Sequence, residues 1–446
     1  MEVKKVNYSN KIIYKNSILS VIYKIAGTCI SFILSPLLLS CLGETKYGAW
    51  VSLLSIISWI YYCDFGIGNG LRNKLTECLS LGDLESSRKY LAISYVLTFQ
   101  ISLLICIAVF LIIHFFDLSS FLRIDFSDEN MNMCFSIAIS LACINFVLSL
   151  VNNVLYALQN TSLVSLFNVL GQTIFMIFLI IYSSTEARLI IFIVLAEGIS
   201  QLIKNLAESI YVYKKNPKLI FSIKKEIDKR YSKGILSFGI QIFIVQVAAL
   251  VLNSTDNLII SRLFGSASVT PYNICYKYFN MINILYVALI TPFLSAYTAA
   301  YTRKDFPWIY RSLRRNVGLY IIFIFGTIIS VLIFKPFVLL WIQKELLFEK
   351  GLIFSTAFYF ILLMFSHIFS TFLTGISKIK ETMISTVLGT LLNIPVSVYL
   401  AKYMQLGTTG VILGSIVSIA IGIWIAPLIT YRELKQMKII DKQEQR

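Results

Sequence analysis

Charged and amide side chains stand at helical spacing inside an apolar stretch near residue 200. Glu197, Gln201, Lys204 and Glu208 follow one another at intervals of four, three and four residues, which places all four on one face of an α-helix. Such groups are costly in an apolar membrane segment and usually face the protein interior or a water-filled cavity. This face could bind polar or charged cargo. The simpler alternative is hydrogen bonding between helices.

Similar polar stripes recur on five other apolar segments. They comprise Ser20, Lys24 and Ser31; Asn145, Ser149 and Asn152; Asn168 and Gln172; Gln246, Asn253 and Asn257 with Asp256 beside them; and Asn273, Lys277 and Asn280. Hydrogen bonds between helices explain some of these residues, and shallow lysines can reach the headgroups. Stripes on six segments nevertheless predict a hydrophilic central cavity. The residues expected to line it or bind cargo are Lys24, Glu197, Gln201, Lys204, Asp256 and Lys277.

A glycine-rich segment follows the second apolar run and reads DFGIGNGLR from Asp64 to Arg72. A dinucleotide-binding loop with this spacing needs a preceding strand and a βαβ unit, whereas here a membrane helix precedes it. The segment therefore predicts a flexible hinge, with Asp64, Gly66, Gly70 and Arg72 as gating residues and Asp64 near Arg72. Simple termination of a helix by glycine is the alternative.

Signals for catalysis or metal binding are nearly absent. The chain has two histidines, His114 and His367, and eight cysteines without CxxC spacing, so no disulfide framework, metal site or cofactor is expected. His367 shares a helix face with Ser370 and Thr374. A buried, hydrogen-bonded histidine is the favoured interpretation, and proton coupling is the alternative.

The elements that must position these residues are membrane helices. Apolar residues make up 57% of the chain and charged residues 14%, against roughly 25% charged in soluble domains. The apolar residues occur in blocks of about twenty, the length that crosses a hydrocarbon core, and they lack the alternation of a β-barrel. Twelve spans are predicted, at roughly 17–40, 47–63, 90–115, 131–155, 164–182, 189–212, 235–260, 273–297, 317–342, 352–375, 383–403 and 409–431.

The distribution of Lys and Arg predicts the orientation. With the N-terminus inside, inner segments hold 28 of the 39 basic residues and outer loops hold 7. Basic residues favour the cytoplasmic side, so both termini are expected in the cytoplasm. The net charge of +16 is mostly this topology signal and does not indicate nucleic-acid binding.

The longest inner loop divides the chain into halves of six spans. The sequence predicts an N-terminal lobe over 1–212, a basic linker over 213–234 and a C-terminal lobe over 235–446. Ile220, Ile223, Ile227 and Tyr231 recur at helical spacing within the linker, which fits an amphipathic helix on the inner leaflet. A solvated linker is the alternative. Weak similarity between the halves is typical of secondary transporters, whose cargo site lies between repeats.

Two stretches carry a resemblance to a known family. They are LGETKYGAWVSLLSIISWIYYCDFGIGNGLRNKL from Leu42 to Leu75 and its second-half counterpart NSTDNLIISRLFGSASVTPYNICYKYF from Asn253 to Phe279. Over essentially its full length the chain resembles the Wzx family of polysaccharide-repeat-unit flippases, in the MOP exporter superfamily that includes MATE transporters. The resemblance implies an all-α polytopic membrane protein of two six-helix lobes in the bacterial cytoplasmic (inner) membrane.

The resemblance also implies a function and partners. Such proteins move an undecaprenyl-pyrophosphate-linked oligosaccharide, of O-antigen, lipopolysaccharide or capsule, from the inner to the outer leaflet by alternating access. Membrane lipids, a polysaccharide polymerase and a chain-length regulator are the implied partners, with no cofactor and no nucleic acid. Family members often have a cationic lumen, for which Lys24, Lys204 and Lys277 could serve, but Glu197, Glu208 and Asp256 nearly balance them.

Three other functions stay open at this point. A MATE-type drug or cation antiporter shares the fold and would use acidic lumen residues, and a lipid II flippase has a related cargo. A membrane glycosyltransferase or polysaccharide polymerase would belong to another class. Such an enzyme typically needs a sizeable outer loop with catalytic residues, and the longest predicted outer loop, near 116–130, has about fifteen residues.

Overall fold

The computed structural model describes residues 10–115, 130–183, 189–222, 226, 228, 230–302, 304–376, 378 and 380–444, and within these ranges the regular structure is helical, without strands. The predicted outer loop near 116–130 therefore lies outside the described residues apart from Asn130, which caps the next helix. The all-α fold class expected from composition is confirmed.

The chain forms two compact units. The N-terminal unit comprises Met1–Leu250 and Gly265–Ala267, and the C-terminal unit comprises Val251–Phe264 and Ser268–Arg446. The lobe boundaries at 212 and 235 stay predictions. The helices of the first unit, numbered in chain order, are α1 (Asn10–Tyr62), α2 (Ile67–Leu81), α3 (Leu84–Phe115), α4 (Met131–Leu148), α5 (Leu150–Ala157), α6 (Thr161–Ser183) and α7 (Ile190–Lys215).

The C-terminal unit contains the remaining helices. Helix α8 (Arg230–Phe264) passes from the first unit into the second. It is followed by α9 (Ser266–Thr302), α10 (Phe306–Ile342), α11 (Leu352–Gly375), α12 (Lys380–Val398) with a π-helical end at Tyr399–Tyr403, α13 (Gly407–Ile423) and α14 (Ile425–Glu444). Helix α13 packs against α11 and α12.

The length and apolarity of the helices indicate a multi-pass membrane protein. Nine helical stretches among the described residues are long and apolar enough to cross a membrane. One of them, Ile18–Tyr62, has 45 residues and would be about 68 Å long if straight, more than twice the hydrocarbon core of about 30 Å. It bends at Gly43, whose φ is 72°, and is long enough for the two crossings that the sequence predicts there. The total of twelve spans stays a prediction.

Each unit has its own apolar core. In the N-terminal unit, α2, α3, α5, α6 and α7 meet around Leu71, Leu91, Val154 and Val212, which are at most 1% exposed. In the C-terminal unit the core includes Tyr286, Tyr297, Phe372 and Met437. Packing in these cores positions the helices of each unit, and with them the polar side chains on their other faces.

The linker is not one continuous helix in its described residues. Helix α7 ends at Lys215, Pro217–Leu219 form a short 3-10 helix, and residues 220–222 are non-helical. Pro217 cannot donate a backbone hydrogen bond, which disfavours continuation of α7. Leu219 is buried in the core of the N-terminal unit. Phe221 stacks on Tyr95, and Arg88 forms a 2.7 Å ion pair with Glu226. The predicted Ile223 and Ile227 lie outside the described residues.

Reporter fusions test the predicted orientation. A fusion after Arg446 and a fusion within residues 213–234 should both report the cytoplasm, because most basic residues fall on that side of the predicted spans. Paired alkaline phosphatase and green fluorescent protein fusions measure this directly. A matched fusion in the predicted outer turn near Glu44 should give the opposite signal, and an outer-side signal at residue 446 would refute the orientation.

Candidate functional site

A cavity lined by apolar side chains and a cluster of polar groups lies within the N-terminal unit. Its volume is about 310 Å³, at the lower end of the range for small-molecule pockets. Helices α1, α4 and α7 supply most of its wall. The lining residues are Trp50, Leu54, Ile57, Ser58, Tyr61, Ala138, Leu141, Ala142, Asn145, Ser149, Val194, Glu197, Gly198, Gln201, Lys204 and Asn205.

The polar face of α7 forms one side of this cavity. Glu197, Gln201 and Lys204 all line it, as their shared helix face allows. The Gln201 side-chain amide donates to Glu197 Oε1 at 3.1 Å. The opposite face of α7 is apolar, and Ile199, Ile203 and Leu206 are 39–42% exposed. The structure thus brings together three of the six residues predicted to line a lumen.

Lys204 is held by polar partners away from water. Its ammonium donates to Asn168 Oδ1 at 3.2 Å and lies 4.0 Å from Glu208 Oε2. Lys204 is 5% exposed, and Glu208 is fully buried. A buried ion of either sign needs such compensation because desolvation is costly. Lys204 and Glu208 therefore neutralise each other within α7, one helical turn apart.

A pair of buried asparagines completes the wall. Asn145 donates through Nδ2 to the Gly198 carbonyl at 2.9 Å, which ties α4 to α7. Asn205 donates through Nδ2 to Asn145 Oδ1, also at 2.9 Å. Asn205 is 2% exposed, and its Oδ1 atom has no hydrogen-bond partner. A buried acceptor in this state can accept a bond from a ligand donor.

Several residues of this site were not predicted from the sequence, among them Asn205, Trp50 and Tyr61. Asn205 stands four residues after Gln201, so helical spacing could have found it. Trp50 and Tyr61 line the cavity from α1. They carried no comparable signal, because aromatic residues are common in any apolar span.

The other predicted lumen residues lie elsewhere. Lys24 is exposed on α1 and is not part of this cavity wall. Asp256 and Lys277 belong to the C-terminal unit. The side chains of Gln246 and Asn253 lie outside the described part of the structure.

Asp256 is enclosed by hydroxyl groups. Its carboxylate accepts a hydrogen bond from Tyr272 at 2.5 Å and one from Ser415 at 3.1 Å. Asn393 donates to Ser415 Oγ at 3.0 Å, which links α12 to the cluster. Asp256 is 4% exposed, so this carboxylate is part of a packed network joining α8, α9, α12 and α13.

The predicted hinge is a capped turn. The Asp64 carboxylate accepts from the backbone N–H groups of Gly66 and Gly68 at 2.9 and 3.0 Å, and Gly66 has a φ of 76°. Burial raises the pKa of Asp64, although these two bonds partly oppose the shift. Arg72 lies over the Tyr156 ring at 5.1 Å. Asp64 and Arg72 each contact other groups, and the hinge role of this segment stays a prediction.

Gly70 allows a close approach between α2 and α8. A Cβ atom built there would lie 2.3 Å from the Ile235 carbonyl oxygen, whereas one at Gly326 on α10 would meet nothing within 4 Å. The Gly70→Ala variant should unfold more easily, by about 1–3 kcal/mol, because backbone must move. Thermal unfolding of purified protein measures this effect. Gly326→Ala is the control and should be neutral or slightly stabilising; equal behaviour of the two variants would refute the close packing.

His367 is part of neither the N-terminal cavity wall nor the hydrogen-bond network around Asp256. It lies partly buried on α11, and the Ser370 hydroxyl donates to its backbone carbonyl at 3.4 Å, not to its ring. Among the described residues, no three His, Cys, Asp or Glu side chains are grouped as metal ligands would be.

Solved structures define the class to which this fold belongs. The chain superposes on an inward-facing multidrug resistance MATE family transporter of the MOP superfamily with a TM-score of 0.72, at 15% identity, covering 94% of this chain and 95% of the other. It superposes on a Pyrococcus furiosus MOP superfamily transporter, described as having a binding pocket of reverse polarity, with a TM-score of 0.66 at 16% identity, covering 98% and 99%. The fold is that of MATE transporters, in a multi-pass membrane protein.

Residues 13–298 match the family described as polysaccharide biosynthesis protein, and the chain belongs to that family. Residues 242–399 also match the MatE family. A Salmonella typhimurium protein provisionally named an O-antigen transporter is 25% identical over 406 residues, covering 88% of this chain and 90% of its own. A Yersinia pseudotuberculosis protein provisionally named an O-antigen export protein is 22% identical, covering 94% and 96%. The resemblance found in the sequence is confirmed, and the chain is a transporter rather than an enzyme.

Proposed function

We propose that this protein is a flippase for an undecaprenyl-pyrophosphate-linked oligosaccharide repeat unit, of O-antigen or capsule, in the bacterial inner membrane. The observation that carries the proposal is the cavity of about 310 Å³ inside a helical unit of a polysaccharide biosynthesis family member. Amide and carboxylate groups converge there against aromatic side chains, as they do in sites that bind polar small molecules.

The two parts of the cargo occupy different environments, the protein for the glycan and the lipid for the polyprenyl chain. The glycan is polar and cannot cross the hydrocarbon core unaided, so it needs hydrogen-bonding groups in a protected path. Glu197, Gln201 and Asn205 supply such groups. The polyprenyl chain is apolar and stays in lipid. Alternating access then moves the glycan from the inner to the outer leaflet, where a polymerase and a chain-length regulator would act on it.

Deletion of the gene in its own bacterium tests this proposal. Surface polysaccharide should fall at least tenfold, and lipid-linked repeat units should accumulate with their glycan on the cytoplasmic side. Surface labelling and extraction of lipid-linked sugars measure the two effects. Complementation with the wild-type gene is the control. Normal surface polysaccharide in the deletion strain would refute the proposal.

A MATE-type cation antiporter is the second candidate function. The match of residues 242–399 to the MatE family and the buried carboxylate of Asp256 favour it, because acidic groups in such a protein bind cations. Under this alternative, the deletion strain would keep its polysaccharide and become more sensitive to cationic drugs. The same deletion strain therefore separates the two functions.

A further inference from the structure

The amide and ammonium nitrogens on the wall of the N-terminal cavity each have a hydrogen-bond partner within the protein. The amide groups of Gln201, Asn205 and Asn145 donate to Glu197, Asn145 and Gly198 respectively. The Lys204 ammonium donates to Asn168. Each of these nitrogens carries more than one N–H group, so these internal bonds occupy part of the donor capacity of the wall.

Acceptors remain available on the same wall. Asn205 Oδ1 is buried and has no partner. The Gln201 amide bonds only one oxygen of the Glu197 carboxylate, which has room for further donors because each carboxylate oxygen carries two lone pairs. A group that brings O–H or N–H donors can satisfy these acceptors. A carboxylate brings only acceptors and cannot.

Charge favours the same conclusion. Lys204 brings one basic group to this region, while Glu197 and Glu208 bring two acidic groups. The positive charge is 4.0 Å from Glu208 and so is largely compensated. Glu197 faces the cavity without a cation bonded to it in the described structure. Like charges repel strongly where water is scarce, so an acidic group would be disfavoured beside Glu197.

The remaining wall suits a ring-sized group. Trp50 and Tyr61 present aromatic surfaces, and Leu54, Ala138 and Val194 add apolar surface. Aromatic side chains combine a large apolar face with a polar edge, which matches a sugar ring with apolar C–H faces and hydroxyl edges. The volume of about 310 Å³ accommodates one such ring and not a whole oligosaccharide.

We infer that the N-terminal cavity binds one non-acidic sugar residue of the cargo, a ring bearing hydroxyl or amide groups and no carboxylate, through donation to Asn205 and Glu197. This inference rests on the proposed flippase function and adds the chemical class of the sugar at this site. It opposes the cationic lumen implied by the family resemblance, because Lys204 is occupied by Asn168 and Glu208.

Two flippase-deficient strains test the inference. One assembles a repeat unit of neutral and N-acetylated sugars, and the other a repeat unit that contains a uronic acid. The wild-type protein should restore surface polysaccharide at least tenfold better in the first strain. Glu197→Gln should reduce this preference about tenfold, since it removes the negative charge facing the ligand. Glu345→Gln, an exposed glutamate of the C-terminal unit, is the matched control and should leave the preference unchanged.

Direct binding separates this inference from the proposed function. Quenching of tryptophan fluorescence in the purified chain should be stronger with N-acetylglucosamine than with glucuronic acid, and Trp50→Phe should remove most of the signal. Equal or better export of the acidic repeat, with no shift in Glu197→Gln, would overturn the inference while leaving the flippase intact. Export of neither repeat would defeat the proposed function. The preference between the two free sugars would then decide the inference, and a preference for glucuronic acid would overturn it.

Discussion

The Lys204→Ala variant should lose most surface-polysaccharide assembly and unfold more easily by about 3–5 kcal/mol. The reason is the buried pair that it breaks, with Glu208 fully buried 4.0 Å from the Lys204 ammonium. Removing one partner of such a pair leaves an uncompensated charge in a poorly solvated place. Thermal unfolding of purified protein and surface labelling of complemented cells measure the two effects.

A paired substitution separates neutralisation from cargo binding. If Lys204 mainly neutralises Glu208, the double variant Lys204→Met with Glu208→Gln should recover most of the lost stability and export, because no buried charge is left alone. If the ammonium contacts cargo, Lys204→Arg should retain more export than the double variant. Lys335→Ala, at an exposed lysine of α10, is the control and should behave as wild type. A stable, fully active Lys204→Ala variant would contradict both roles.

Helix positions and the polar face of α7 could be predicted from the sequence because both depend on local periodicity. Apolar blocks of about twenty residues specify membrane helices. The spacing of Glu197, Gln201 and Lys204 places them on one face whatever surrounds the helix. The structure adds which neighbours α7 meets: Lys204 bonds Asn168 on α6, and Asn205 beside this face bonds Asn145 on α4. Those contacts depend on tertiary packing, which periodicity alone does not encode.

The hinge and the linker show what tertiary contacts add to a local pattern. The glycine-rich sequence predicted a flexible hinge with Asp64 near Arg72. In the structure, the backbone N–H groups two and four residues after Asp64 donate to its carboxylate, as is common for Asp in turns. Helical spacing in the linker predicted a membrane-surface helix, which stays a prediction, and the structure adds that Leu219 at the start of the linker packs into the core. Both contacts depend on the folded chain, so the residue pattern could not have predicted them.

Asp256→Ala should destabilise the C-terminal unit by roughly 3 kcal/mol, since it removes the acceptor for two buried hydroxyl groups, and hydrogen bonds to a charged group contribute about 1.5–3 kcal/mol each. Asp256→Asn should cost less, because its carbonyl oxygen can still accept one bond. These losses are read from thermal unfolding of the purified variants.

A double-mutant cycle with Tyr272→Phe assigns this effect to the network. Tyr272→Phe alone leaves Ser415 as a donor to Asp256, so it should cost less than Asp256→Ala. In the double variant no hydroxyl at position 272 is left unsatisfied. The two losses should therefore be less than additive, by about 1–3 kcal/mol.

Tyr399→Phe, at an exposed tyrosine of the same unit, is the matched control and should add fully to Asp256→Ala. Full additivity for Tyr272→Phe would show that the carboxylate and this hydroxyl act separately. Loss of export by Asp256→Asn at normal stability would give the carboxylate a role in transport beyond holding α8, α9 and α13 together.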